Sequence, residues 1–339
     1  MFVRDERDAA PRQVATESFV PGGIGTTLAG ASGRAGPSHR SISSPAGPGV
    51  YRREPRSLVE RMSHDHDSRI RCLKPSDLDF AQEVRKIAGW NQTDEDWLRL
   101  INYEPDGCFL IECGGGPAGT ATTTTYGNKL GWIGMVLVHP DFRRRGLATL
   151  LLQHCISYLE TRVSCIRLDA TPAGREVYQK LGFVDEYRLH RWQRGDGAPE
   201  NPAVAASLFD GEKAKTLDTE AFGADRSHFL RKLRETATLT IQTDDGSFGF
   251  LRSGKNARYL GPVVSSSNES GVEIIEKLLA NCRDEAIYWD VLEPCQDVRV
   301  LAEKLGFTKQ RELIRMRRGE ALPNERPERQ WAIGAPETG

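Results

Sequence analysis

The chain has no excess of charge of either sign. Its 46 lysines and arginines against 47 aspartates and glutamates leave a formal net charge of −1, which argues against a general nucleic-acid binder, since that role needs a basic surface. Long apolar runs are also missing: none reaches the roughly 18 residues of a membrane span, and the N-terminus has no apolar signal core. Neither a membrane span nor a secretory leader is expected. The seven cysteines, Cys72, Cys108, Cys113, Cys155, Cys165, Cys282 and Cys295, form no CxxC pair and no metal-ligand spacing with histidine. Reduced thiols in a cytoplasmic setting and no bound metal are the expectation. The absence of a G-x-x-x-x-G-K-[ST] sequence excludes a P-loop nucleotidase. Residues 1–66 lack aliphatic periodicity after Phe19-Val20 and are rich in Gly, Pro, Ser, Ala and Arg, so a disordered tail is expected there. Met62 offers an alternative start. The run His64-Asp65-His66-Asp67 has two readings, a metal cluster and a solvated linker; without further ligands the linker is expected.

What is present begins with length. At 339 residues the chain can hold two ordinary domains. Residues 132–162 organise the first. Met135, Val136, Leu137 and Val138 form an aliphatic run stopped by His139-Pro140, a buried strand. Beyond Gly146, apolar residues return at Leu147, Leu151, Cys155, Tyr158 and Leu159, the period of an amphipathic helix. Between them stand Arg143, Arg144 and Arg145, at the helix start. Cations there oppose the macrodipole at about 0.3 to 1 kcal/mol each. A polyanionic ligand would turn that penalty into an asset, because the free N–H groups, the positive helix end and the guanidinium groups would all meet it.

Taken in order, residues 69–73 alternate as a strand. Pro75 opens a helix carrying Leu78, Val84 and Ile87. Thr93 reads as the N-cap of a second helix, with Asp94, Glu95 and Asp96 in its first turn. Two strands, 108–113 and 118–126, are joined by Gly114-Gly115-Gly116-Pro117; no helix follows these glycines, so they form a turn and not a phosphate loop. A strand over 165–169, a helix over 172–181 ending in Gly182-Phe183, and a strand over 186–192 complete the unit.

This order, with Arg143-Arg144-Arg145-Gly146-Leu147-Ala148 at the helix start and Tyr178-Gln179-Lys180-Leu181-Gly182-Phe183 later, resembles the GNAT superfamily of acyl-CoA N-acyltransferases over roughly residues 68–194. The first run matches the family's R/Q-x-x-G-x-G/A motif, the second its motif around a helix tyrosine. After a linker from Gly195 to about Ala206, the pattern returns faintly. Trp289-Asp290-Val291-Leu292-Glu293-Pro294 leads to Glu303-Lys304-Leu305-Gly306-Phe307, as Leu168-Asp169-Ala170-Thr171-Pro172 leads to Gln179-Lys180-Leu181-Gly182-Phe183. In this second copy Asn268-Glu269-Ser270 replace the arginines and Ala302 replaces Tyr178. A glutamate repels a polyanion and an alanine carries no proton, so the second copy resembles a degenerate partner domain that binds no CoA. The expected architecture is therefore α/β (α+β), two GNAT-like mixed-sheet domains in tandem: a tail over 1–66, a catalytic domain over 67–195, a degenerate one over 204–319 and a C-terminal tail over 320–339.

The resemblance implies acetyl-CoA as acyl donor, held by Met135, Val136, Leu137 and Val138 along the strand and by Arg143, Arg144, Arg145, Gly146, Leu147, Ala148 and Thr149 around its pyrophosphate. Direct transfer to an amine needs a proton for the departing thiolate, and Tyr178 is the matched general acid; an ordinary tyrosine packed on the sheet is the alternative. Many family members carry a glutamate base near the position of Trp132, where this chain has none. Ordered water, Glu112 or Asp169 remain as candidates. Trp90, Asn91 and Trp97 lie where the family lines its acceptor site, though tryptophans there also suit plain packing. Glu104 and Asp106 could attract a cationic amine or simply be solvated, and His139, His154 and His190 are scattered. The expected function is acetyl transfer to a primary amine of a small molecule or peptide. The rival is a non-catalytic CoA-binding sensor, with the second copy as its output.

Overall fold

The computed structural model describes residues 68–195, 204–282 and 285–339. The expected tail over 1–66, with Met62 and the histidine-aspartate run 64–67, lies outside the described residues, as does most of the linker.

The first copy runs β1 (Ser68–Cys72), α1 (Leu78–Ile87), α2 (Asp94–Tyr103), β2 (Cys108–Cys113), β3 (Gly116–Tyr126), β4 (Leu130–Val138), α3 (Leu147–Glu160), β5 (Cys165–Ala170), α4 (Arg175–Lys180) and β6 (Val184–Arg194). Helix α2 begins where the sequence signals it. The Thr93 hydroxyl accepts from Asp96 N at 3.3 Å and the Asp96 carboxylate accepts from Thr93 N at 2.8 Å, a reciprocal cap. The second copy runs α5 (Gly211–Phe222), α6 (Ser227–Glu235), β7 (Leu239–Gln242), β8 (Phe248–Arg252), β9 (Arg258–Val264), α7 (Asn268–Leu279), β10 (Ile287–Leu292), α8 (Gln296–Lys304), β11 (Thr308–Gly319) and β12 (Gln330–Ala332). The repeat holds down to single hydrogen bonds. Phe183 N donates to Tyr178 O at 3.1 Å, and Phe307 N to Ala302 O at 3.0 Å.

All twelve strands join one sheet in the order β1-β2-β3-β4-β5-β11-β6-β10-β9-β8-β7, with β12 beside β9. The final strands of the copies are exchanged. β11 pairs antiparallel with β5, from Cys165 opposite Gly319 to Ala170 opposite Ile314, and β6 pairs antiparallel with β10. The boundaries expected at 195 and 204 therefore divide the chain but not the sheet. Two buried ion pairs fasten the exchange. Arg315 on β11 grips both oxygens of Asp169 on β5 at 2.8 and 2.9 Å, and Arg191 on β6 grips both oxygens of Asp290 on β10 at 2.8 and 2.6 Å.

Helix α3 buries Leu151, Cys155 and Leu159 against the sheet on one side of the first copy, and α7 buries Ile274, Ile275 and Leu278 in the second. The other face holds a core common to both copies: Trp97 and Leu100 of α2 lie in one cluster with Phe222, Phe229, Phe248 and Phe250. The segment 320–339, expected as a tail, is threaded through the molecule. In the second copy β12 lies on β9, and Trp289 Nε1 donates to Trp331 O at 2.8 Å, while Ile333 N donates to Asp290 O at 3.2 Å. The last residues then enter the first copy. Trp132 Nε1 donates to Pro336 O at 3.0 Å and the Tyr126 hydroxyl to Thr338 O at 2.7 Å, while Arg226 of the second copy donates to Gly339 O at 2.8 Å.

Candidate functional site

β4 and β5 are parallel neighbours only from Leu130 to Trp132, opposite Cys165 to Arg167. Past that point they part. The cause is a bulge: the register of β4 on β3 shifts between Thr120 and Thr122, and Met135 takes a φ of 50°. From Ile133 onward the edge of β4 facing β5 has no strand partner among the described residues, which leaves room for an extended ligand beside it, although Met135 O already accepts from the Thr120 hydroxyl at 2.9 Å.

At the end of β4 stands the arginine-rich helix start. Arg144 (φ 63°) and Gly146 (φ 83°) both have left-handed backbone, and Gly146 caps α3. Such alternation turns successive N–H groups toward one point, an anion-binding nest. The N–H groups of Arg145, Gly146, Leu147 and Ala148 have no hydrogen-bond partner among the described residues. Nothing lies within 4 Å of where a Cβ on Gly146 would be, so the approach is open. Arg143, Arg144 and Arg145 are exposed around it; Arg143 Nε reaches Val138 O at 3.2 Å and Arg145 reaches Asp141 O at 3.3 Å. Pyrophosphate chemistry fits this donor set.

Between the parted strands is a cavity of about 110 Å³. Met135 and Val136 line it from β4, Leu168 and Asp169 from β5, and Tyr178 from α4. The Tyr178 ring is wedged edge-on against Phe183, and burial pushes its pKa up to about 12, with the Cys155 thiol adding to the rise. At neutral pH the hydroxyl therefore carries its proton. It makes no hydrogen bond to a described residue.

The opposite wall comes from far along the chain. Glu337 and Pro336 of the C-terminal segment and Arg311 and Leu313 of the exchanged β11 face the same cavity, with Trp90 and Gln92. Glu337 is 6% exposed, and its carboxylate accepts from Gln92 Nε2 at 2.8 Å. Burial, reinforced by the Asp96 carboxylate, pushes its pKa above the ordinary range. The lack of a side chain at Gly134 makes room for this segment against β4. A Cβ there would lie 2.5 Å from Glu337 O and 2.6 Å from Glu337 Cβ, so the segment runs where a side chain would project.

The two strand carboxylates considered from sequence are both occupied. Asp169 has both oxygens on Arg315, and Glu112 accepts from Arg71 Nε at 2.7 Å. Glu104 is taken by the Tyr158 hydroxyl at 2.6 Å and by Thr125. Of the three aromatic and amide candidates, Trp90 lines the cavity, but the other two are drawn elsewhere. Asn91 donates to Ala257 O and accepts from the N–H groups of Asn256 and Ala257, pinning the second copy's loop to the first. Trp97 is a fully buried core residue. Glu337, Arg311 and Gln92 escaped the sequence reading. Only contact across more than 200 positions unites Gln92 with Glu337, and Ala-Pro-Glu-Thr-Gly reads as loop. Among the described residues no group of histidine, cysteine and carboxylate side chains is arranged to hold a metal.

The second copy presents the same frame closed. Ser267 caps α7 by accepting from Ser270 N at 3.2 Å, and the Asp245 carboxylate accepts from the hydroxyls of Ser266 and Ser270 beside that helix start. The groove between β9 and β10 contains residues 330–333.

Two family models match the chain: the acetyltransferase (GNAT) family over residues 78–183 and an acetyltransferase (GNAT) domain over residues 214–332. Among curated proteins the chain is similar to the uncharacterized N-acetyltransferase YitH of Bacillus subtilis (strain 168), 27% identical over 211 residues, which span 57% of this chain and 71% of that protein. Among solved structures it is similar to a Pyrococcus horikoshii protein described as an acetyltransferase, with TM-score 0.72 and 23% identity, covering 85% of this chain and 100% of that one. It is also similar to a tandem GNAT protein from the clavulanic acid biosynthesis pathway, with TM-score 0.55 and 13% identity over 75% of this chain and 98% of that one. These two structural likenesses speak for the fold alone.

Proposed function

This chain belongs to the GNAT superfamily, as a tandem of two domains, and we propose that its first copy transfers an acetyl group from acetyl-CoA to a primary amine. The observation that carries the reading is the cavity that joins the free edge of β4 to the Tyr178 hydroxyl on one side and the Glu337 carboxylate on the other. Acetyl-CoA, when bound, would supply the acetyl group as an activated thioester. The nest at Arg145, Gly146, Leu147 and Ala148, with Arg143, Arg144 and Thr149, is suited to its pyrophosphate, and the β4 residues Met135, Val136, Leu137 and Val138 to its extended arm. Tyr178 holds the proton that the departing thiolate requires. Glu337 accepts the proton that the attacking amine loses, and its raised pKa makes it a stronger base than an ordinary carboxylate. Neither residue forms a covalent bond to the acyl group in this scheme.

A non-catalytic CoA-binding sensor, with the second copy as its output, needs no proton acceptor at the cavity. Glu337 at the cavity supports catalysis instead. All seven cysteines are free, which favours a reducing, cytoplasmic setting. No helix among the described residues is long and apolar enough to cross a membrane. The test is release of free CoA thiol over a panel of amines, with wild type beside Tyr178→Phe. Turnover should fall roughly 100-fold to 10,000-fold in the variant while acetyl-CoA still binds. Unchanged turnover would remove Tyr178 from the mechanism.

A further inference from the structure

Arg311 is the one charged group on the cavity wall left without any hydrogen bond or ion pair among the described residues. Its neighbour across the sheet is Arg191, directly opposite in the pairing of β11 with β6. The carboxylate that might have served both is already used, because Asp290 is gripped twice by Arg191 and accepts from the Tyr259 hydroxyl at 2.8 Å. Asp169, also on the cavity wall, is likewise committed to Arg315. Arg311 Nε is buried with no partner. A strand irregularity between Lys309 and Arg311 accompanies this placement, and bulges next to functional sites commonly re-aim a side chain. Arg311 is half-buried, and a buried donor such as its Nε costs stability unless something satisfies it, while the planar fork of the guanidinium matches a carboxylate. Glu337 is on the same wall and forms no ion pair with Arg311; its one side-chain partner is Gln92. With Asp169 committed to Arg315, the cavity wall thus keeps one cationic and one acidic side chain that do not pair with each other, Arg311 and Glu337, beside apolar Leu168, Leu313 and Ile133.

We propose that the acceptor is an amino acid or a related amine that carries its own carboxylate, with Arg311 binding that carboxylate and Glu337 receiving the amine. The proposal rests on the acyl-transfer reading of this cavity and adds the chemical class of the acceptor to it. A carboxylate on Arg311 would satisfy the orphan donor. A protonated amine beside Glu337 would be drawn by the same carboxylate that then removes its proton. The exchange of β11 gains a role too, since the acceptor's anchor belongs to the second copy while Tyr178 belongs to the first.

The experiment compares matched acceptors on the full chain: each α-amino acid, its C-terminal amide and its decarboxylated amine. Wild type should favour the carboxylate form by roughly 10-fold to 100-fold in kcat/KM over both neutral counterparts, the range expected of a hydrogen bond to a charged group. Arg311→Gln should erase that preference by lowering kcat/KM on the acids alone, with the KM for acetyl-CoA unchanged, and Arg311→Lys should restore part of it. Thermal shifts with the same acceptors, in the presence of CoA, read binding without turnover. Acids that stabilise wild type and not Arg311→Gln support the proposal even if no amine is acetylated, and in that case the acyl-transfer reading fails alone. Turnover of amides and decarboxylated amines at the same efficiency as acids overturns the proposal and leaves acyl transfer standing. An equal loss on all three acceptor types in Arg311→Gln also overturns it. Neither turnover nor any stabilisation by the acids sinks both.

Discussion

The two copies of the fold share a frame and differ in what fills it. In the first, β4 parts from β5, the start of α3 leaves four N–H groups free under three arginines, and the space between the strands is open. In the second, the start of α7 is capped by Ser267 beside the Asp245 carboxylate, and residues 330–333 occupy the groove between β9 and β10. The same segment then continues into the first copy and delivers Glu337. One copy has become the anchor for a piece of chain that completes the other. The difference teaches that a closed groove can still serve the fold: it holds the residues that precede the proposed base.

The largest expected effect falls on Glu337. Glu337→Gln should lower turnover roughly 100-fold to 10,000-fold, since general-base catalysis contributes about that much. Its stability should hold or rise at neutral pH. The carboxyl is buried with a folded-state pKa above its unfolded value, so the folded chain binds more protons between those two values and stability falls as pH rises through them. Glutamine copies the neutral form and removes that slope. The same group sets an acid limb: in wild type kcat/KM should fall as pH drops through a value above the ordinary carboxylate pKa of about 4.3, and Glu337→Gln should flatten that limb. A variant that loses activity only because it melts earlier would break the assignment.

Next come the ion pairs of the exchange. Arg315→Met and Arg191→Met each strand a fully buried aspartate, Asp169 or Asp290, and each should cost about 3–5 kcal/mol in chemical denaturation. Near-equal costs would support structural equivalence of the two crossings. A markedly cheaper loss on one side would show that the exchange is held asymmetrically. The smallest effect is at the closed helix start, where Ser267→Ala should cost about 0.5–2 kcal/mol in thermal or chemical unfolding and leave acetyl-CoA binding untouched.

Much of this was readable from residue pattern. The arginines before Gly146 broke a local electrostatic rule, and the open nest around them is the physical counterpart of that break. The Leu-Gly-Phe runs after Tyr178 and Ala302 foretold the repeat, and the same hydrogen bond closes both. The exchange of β6 and β11 left no trace, for a definite reason. Arg191 and Arg315 occupy like positions, as do Asp169 and Asp290, so an unexchanged sheet offers the same pairs. Local pattern cannot distinguish two pairings that satisfy the same groups. Trp97 shows the converse limit: an aromatic near an expected acceptor site is equally what a core demands, and here the core takes it. Glu337 was invisible because its role depends on a backbone path through the space beside Gly134, not on its neighbours in sequence.

The central claim is that the chain has one donor site, in the first copy, and has closed the other with its own residues. Calorimetric titration of the full chain with acetyl-CoA tests it most directly. The account predicts one molecule bound per chain, and no binding in Gly146→Glu, where a carboxylate enters the nest. Two molecules per chain, or binding that survives Gly146→Glu, would contradict it.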